Sequence, residues 1–337
     1  MKTLYGIQYL RAFAALAVVV FHAAERTGLY FAIGAAGVDV FFVVSGFIMM
    51  AISDRRPMQP VAFLRDRLLR IGPSYWIVTS IMIAGAAAGL FPNLKLDIAH
   101  VLGSFLFVPV PSPNTGDLWP VLVQGWTLNY EIFFYAVFAL ALLVRPSFRL
   151  TALTAVLALL VLTGLSIQSQ NILAAFYTQP LLLEFAAGAF LAKLWKSGTL
   201  PSPLIGVLLV VLSIGGFAMI HLLKLEFGAF NCGPLAVLLV LGMLAIENAG
   251  KLPSSPIATY IGNASYSIYL WHTLALSVVV KAGTVLGLPG LLIAAAGIAA
   301  GTIAGVIGYE CVEKPIQGII KGRRPAVGRR PVHGSSP

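Results

Sequence analysis

Charge is what this sequence has least of. Of its 337 residues only 10% are Asp, Glu, Lys or Arg, against 59% hydrophobic, and the mean hydropathy is +0.92. A water-soluble globule of this length needs more polar surface than that, so lipid is the chain's main solvent. Cysteine is nearly absent as well. Cys232 and Cys311 lie far apart in apolar stretches, which excludes a disulfide framework and a cysteine metal site. No internal repeat is visible, and no polar stretch is long enough for a separate soluble module.

Long apolar runs are what the sequence has instead. They recur at about 4–24, 33–52, 73–91, 121–144, 150–167, 173–194, 203–223, 233–247, 260–280 and 289–311. Each suits a hydrocarbon core of roughly 30 Å. The expectation is an all-α, polytopic integral membrane protein of about ten transmembrane helices. The first run is interrupted by Arg11 and His22 and is too long for a signal-peptide core, so it reads as a retained helix.

The formal charge of +10 reflects topology and not nucleic acid, because the basic residues are unevenly placed. With both termini cytoplasmic, inside segments hold 17 of the 22 Lys and Arg, including Arg55, Arg56, Arg65, Arg67 and Arg70. Outside segments hold Arg26, Lys95, Lys224 and Lys281, and Arg11 lies within a helix. This bias predicts an even helix count. The membrane domain spans residues 1–315; residues 316–337 form a basic tail whose Arg, Pro, Gly and Ser predict disorder against anionic headgroups. The connection around 92–120 contains VPVPSPNTGDLWP, which predicts an ordered cap over the outer mouth that shapes an acceptor site.

An ionised side chain near the bilayer centre costs at least about 2.5–3.5 kcal/mol, so each one is a site candidate. Arg11 and His22 are three helical turns apart on one face, roughly 16 Å along the axis; this predicts a polar cavity, the plain alternative being a snorkelling arginine and a capping histidine. Asp39 orients His22 or pairs with a cation, while Ser45 and Gly46 either admit a ligand or simply let helices pack closely. Arg67 and Arg70, at i and i+3, either clamp phosphates or act as a topogenic cluster. Glu131, in WTLNYE from Trp126, is a site acid or a structural counterion, and Glu184 shares that ambiguity. His272 closes the stripe SYSIYLWH, and as a buried histidine bonded to a neighbouring helix it is more often structural than catalytic.

Taken in order, these stretches resemble the acyltransferase-3 family of membrane-bound O-acyltransferases, and within it the exopolysaccharide-production acetyltransferases. The resemblance rests on Gln8-Tyr9-Leu10-Arg11 with Phe21-His22, GVDVFFVVSGFIM, RLLRIGPSYW, WTLNYEIFFY, SYSIYLWH and Glu313-Lys314-Pro315. It implies an acetyl-CoA donor entering from the cytoplasm, a carbohydrate acceptor that is a polysaccharide or a lipid-linked oligosaccharide, and no metal. By position it assigns His22, Arg11 and Glu131 to catalysis, Arg67, Arg70 and Tyr75 to the donor, and Asp39, Ser45, Trp126 and His272 to substrate or support. Many relatives carry a fused SGNH esterase-like domain; here the chain runs only a little past Pro315, which favours direct delivery to a lipid-linked glycan. The expected chemistry has Arg67 and Arg70 on the CoA phosphates, Arg11 on the thioester oxygen and His22 as general base or as an acetyl-histidine. The rival from another class is a glycan transporter or flippase, whose usual repeats are missing.

Overall fold

The computed structural model describes residues 4–54, 58–91, 93–167 and 169–322, the side chain of Lys321 excepted. Arg55, Arg56 and the tail beyond Gly322 lie outside the described residues, whereas residues 316–322, expected as the start of a disordered tail, are helical. Thirteen helices follow one another, with no strand among the described residues: α1 (Tyr5–Arg26), α2 (Gly37–Ser53), α3 (Pro60–Ala87), α4 (Ile98–Leu106), α5 (Gly125–Ala141), α6 (Arg149–Ile167), α7 (Ile172–Phe176), α8 (Leu182–Ser197), α9 (Pro203–Leu222), α10 (Ala229–Asn248), α11 (Pro256–Val285), α12 (Gly290–Gly308) and α13 (Lys314–Gly322). A 3-10 turn, Ala32–Ala36, leads into α2, and a π-helical turn, Tyr309–Glu313, joins α12 to α13.

Local chemistry sets many of these boundaries. Ser202-Pro203 and Ser255-Pro256 start α9 and α11, the serine hydroxyl accepting from the backbone N–H three residues on while proline fills the first turn, where no N–H partner is needed. Asp97 and Asn171 cap α4 and α7 in the same way. Two helices are longer than their apolar runs. α3 begins at Pro60, so Pro73 sits inside it rather than at its start, and α11 extends over 30 residues.

Among the described residues, eight helical stretches are long and apolar enough to cross a bilayer: α1, the 3-10 turn with α2, α3, α6, α9, α10, α11, and α12 with its continuation to Ile320. α5 and α8, of 17 and 16 residues, match the fourth and sixth apolar runs but fall just short of that length. The stretch containing α2 is 78% buried, whereas α6 and α9 are 17% buried. α2 is therefore central and α6 and α9 face lipid. α1 and α11 pack along each other, α12 covers α11, and α8 covers α2.

One end of the bundle, here called the base, collects the start of α1 and the ends of α2, α8 and α10. The Glu247 carboxylate on α10 accepts from the N–H groups of Tyr5 and Gly6 at 2.6 and 3.0 Å, capping α1 with charge of the sign its dipole favours. Asp54, whose side chain is 4% exposed, takes Lys193 at 2.7 Å, Lys196 at 3.4 Å and Arg149 at 3.9 Å, tying α2 to α8 and α6.

The α2–α8 contact depends on two glycines. A Cβ on Gly46 would overlap the Phe185 carbonyl, and one on Gly188 would overlap the Val43 carbonyl. Backbone meets backbone here, the approach small residues permit between helices in lipid. Gly215, on lipid-facing α9, has nothing within 4 Å. Gly46→Leu is expected to lower the thermal midpoint of the detergent-purified protein, with an overpacking cost of about 1–3 kcal/mol or more, while Gly215→Ala leaves it unchanged; equal midpoints for both variants would refute this packing account.

Candidate active site

Pro73 creates the local structure on which the site is built. It has no N–H to offer the Leu69 carbonyl four residues back, and its ring crowds that turn. Gln317 on α13 supplies the missing donor, its side-chain amide reaching the Leu69 and Arg70 carbonyls at 3.3 and 2.9 Å. Tyr266 on α11 donates to the Ile71 carbonyl at 2.6 Å. The turn that carries Arg67 and Arg70 is thus held by two other helices, and the Arg67 guanidinium lies 5.9 Å from the centre of the Phe63 ring.

A cavity of about 570 Å³ opens at the base between α1, α2, α3, α5 and α11, and Gln8, Arg11, Ser45, Arg67, Arg70 and Glu131 line it. Among the described residues no carboxylate lies within salt-bridge distance of the three arginines. Among the described residues Arg11 bonds only to Gln8 Oε1, at 3.4 Å, and the buried Arg67 Nε has no partner. The Glu131 carboxylate instead accepts from Ser45 at 3.1 Å and from the Tyr135 hydroxyl. Ser45 and Gly46 therefore divide the two expected roles: the serine lines the cavity and the glycine packs on α8. The cavity holds three guanidiniums and one carboxylate in a region of low dielectric, which suits a polyanionic ligand.

Tyr269 stands at the inner limit of this cavity. Its hydroxyl lies 3.0 Å from Thr127 Oγ1 and donates to the Gln124 carbonyl at 3.3 Å, and Phe41 packs edge-on against its ring. Beyond it, toward the far end, the rings of His22 and His272 stack with centroids 5.4 Å apart. His272 is fully buried, and its Nδ1 donates to the Ile268 carbonyl at 3.0 Å, leaving Nε2 as an unpartnered lone pair. His22 Nδ1 faces Glu25 Oε2 at 3.2 Å. A carboxylate accepts, so this nitrogen carries the proton and Nε2 is free as a base. Arg26, one turn on, donates to the Thr273 carbonyl at 3.2 Å and to Ser277 Oγ at 2.6 Å.

Arg11 and His22 share one face of α1, as their spacing predicts, but they serve different compartments. Only Arg11 lines the cavity at the base. Eleven residues at a rise of about 1.5 Å separate the two by roughly 16 Å along the axis, so the helix alone does not bring them to one reacting carbonyl. Asp39 does not orient His22: its carboxyl faces that of Glu184 across α2 and α8, with Gly233 of α10 alongside. Tyr75 is fully buried against Phe107, with its hydroxyl unpartnered, and does not line the cavity. Trp126 packs edge-on against Tyr130.

Sequence reasoning passed over Glu25, Tyr135, Gln317 and the role of Glu313. The first was legible as an i, i+3 partner of His22. Glu313 was not, because it takes a π-helical turn to bring it, 5% exposed, to the Ser267 hydroxyl at 2.7 Å.

Comparison with known proteins bears on the chemistry. A family model described as an acyltransferase domain, acyltransferase-3, matches residues 4–310. The exopolysaccharide production protein ExoZ of Rhizobium meliloti is 48% identical over 310 residues, covering 92% of this chain and 98% of that protein. A "Putative membrane-bound transacylase BcsY" of Komagataeibacter xylinus is 28% identical over 297 residues, covering 79% of this chain and 71% of that protein. A "Putative O-acetyltransferase" of Staphylococcus aureus is 25% identical over 326 residues, but this chain spans about half its length, 52%. No solved structure matches the chain.

The bonds from Gln317 carry a testable consequence. Gln317→Leu leaves the Leu69 carbonyl without a donor and removes a second bond to the Arg70 carbonyl, at an expected cost of about 1–3 kcal/mol. The variant should melt earlier than wild type, whereas an unchanged midpoint would show that water replaces the amide.

Proposed function

The chain belongs to the acyltransferase-3 family and is a multi-pass membrane acyltransferase, and from that premise we propose that it transfers an acetyl group from acetyl-CoA to a sugar hydroxyl of a bacterial exopolysaccharide or its lipid-linked precursor. The observation that carries the donor half of this reading is the cavity at the base, with Arg11, Arg67 and Arg70 lining it and no carboxylate in salt-bridge range among the described residues. The acceptor half is supported by the likeness to ExoZ, whose name assigns it to exopolysaccharide production. Family membership also sets the transporter alternative aside.

In this reading the base faces the cytoplasm of an inner-membrane protein, both termini lie there, and α5 and α8 complete a set of ten spans. The CoA phosphates sit on Arg67 and Arg70, with Arg70 exposed at the mouth. Arg11 and Glu131 contact the polar body of the donor, and the acyl-bearing end passes Tyr269 to reach His22. There the sugar hydroxyl attacks the thioester carbonyl, His22 Nε2 takes its proton, and the C–S bond breaks to release CoA as the thiolate, which is then protonated. Glu25 holds the imidazole in the required tautomer, the part a carboxylate plays beside a catalytic histidine. Arg26 is the cation adjoining that centre and stabilises the developing oxyanion. An acetyl-histidine at His22 would use the same geometry with the thiolate leaving first.

Two measurements test the halves separately. Arg67→Ala and Arg70→Ala should each weaken acetyl-CoA binding by about 10–100-fold, the worth of a hydrogen bond to a charged group. Calorimetry on the purified variants reads this directly, and undiminished affinity would remove the arginines from the donor site. His22→Ala should lower acetyl transfer by about 10²–10⁴-fold with acetyl-CoA affinity unchanged. Normal transfer by His22→Ala together with loss in Glu131→Gln would move the base to the carboxylate in the cavity.

A further inference from the structure

A second chamber, of about 1,050 Å³, lies at the far end of the bundle between the ends of α3 and α11, beneath the 107–124 connection. Its two sides differ in chemistry. One is apolar and faces outward, with Leu90, Val278 and Leu286 63%, 67% and 71% exposed. On a membrane-spanning bundle, such residues at the ends of α3 and α11 border hydrocarbon. Across from it the 93–119 segment is polar and aromatic, with Asn93, Thr115, Trp119 and His100, while Lys281 lies on α11 one turn from Val278.

His100 points to a ligand independently of the cavity's shape. It is 1% exposed, and its Nε2 donates to the Trp119 carbonyl at 2.9 Å, which fixes the cap. That bond leaves Nδ1 as a buried acceptor with no protein partner. A buried lone pair without a donor is costly, and a hydroxyl entering the chamber supplies one. Trp119, 43% exposed, offers an indole face for the ring of a saccharide. Ser277 lines the chamber and also accepts from Arg26, one turn from His22, so the chamber abuts the histidine pair.

We propose that this chamber binds the acceptor in amphiphilic form, as an isoprenoid-linked saccharide. The prenyl chain lies against Leu90, Val278 and Leu286, the sugar meets Trp119 and His100 Nδ1, and Lys281 stands beside the linking phosphate. A finished, water-soluble polymer has no use for the apolar side, and an ordinary phospholipid has no ring for the indole. The inference rests on the acetyl-transfer reading above and deepens it by giving the lipid-linked acceptor a binding site of its own.

The test uses the full-length protein in phosphatidylethanolamine–phosphatidylglycerol nanodiscs with a photoactivatable farnesyl-diphospho-glucose probe, the labelled peptides being mapped by mass spectrometry. Labelling is expected to concentrate in residues 88–123 and 274–286. Unlabelled farnesyl-diphospho-glucose should compete, and free maltotriose or added phosphatidylglycerol should not. Trp119→Ala and Leu286→Asn should each reduce labelling about tenfold, with the thermal midpoint and acetyl-CoA affinity unchanged. Labelling spread evenly over lipid-facing helices, insensitivity to Trp119→Ala, or equal competition by maltotriose or phosphatidylglycerol would overturn the proposal. Loss of specific labelling with acetyl-CoA binding intact counts against this inference alone. Specific labelling without acetyl-CoA binding supports the chamber and counts against the donor reading.

Discussion

Three guanidinium groups, of Arg11, Arg67 and Arg70, face one cavity in a protein otherwise adapted to hydrocarbon. Each would be expensive there without compensation, and within the described residues none has a salt-bridge partner. Arg70 escapes most of that cost because the cavity opens at the end of the bundle, where it is exposed, whereas Arg11 and Arg67 are partly buried. The packing around them follows from keeping that opening in place. α2 is pinned to α8 backbone to backbone, α1 is capped by Glu247 at its first turn, and α3 runs on through Pro73 just beyond the arginines. The cationic cavity is the constraint, and the surrounding helices are arranged to support it.

Pro73 shows how a local defect is put to use. In lipid, a carbonyl that loses its helical donor must find another within the protein. Here Gln317, 248 positions along the chain, supplies it to the Leu69 carbonyl, while Tyr266 adds a bond to the Ile71 carbonyl. The same bonds that satisfy the backbone join α3 to α11 and α13, so the arginine-bearing turn is positioned by the repair of its own helix break. The π-helical turn at Tyr309–Glu313 acts in a similar way, directing a carboxylate inward to Ser267 instead of along the regular helix face.

The histidine pair belongs to the other half of the molecule. Tyr269, bonded to Thr127 and the Gln124 carbonyl, lines the arginine cavity and has its ring centre 6.2 Å from that of His272. Spacing along α1 already showed that Arg11 and His22 lie on one side and roughly 16 Å apart. Whether one cavity runs the length of that face depends on side chains from α2, α5 and α11 that close over it, and helical periodicity carries no information about those.

Hydropathy alone made the chain a helical membrane protein, because in a bilayer a segment must satisfy its backbone internally and be long enough to span. The order of short motifs placed it among the acyltransferases, and the i, i+3 spacing of Arg67 and Arg70 put them on one side of a turn. Asp39 shows the limit of such reasoning. Its position near the start of α2 is legible, but its facing Glu184 rather than His22 is decided by the angle at which α8 crosses, which close contact at Gly46 and Gly188 determines. Glu313, Gln317 and His100 likewise acquire meaning only from partners on distant segments. A sequence records period and composition along one chain, and so determines which faces are polar; which polar faces meet is set by helix packing, and only the tertiary structure decides it.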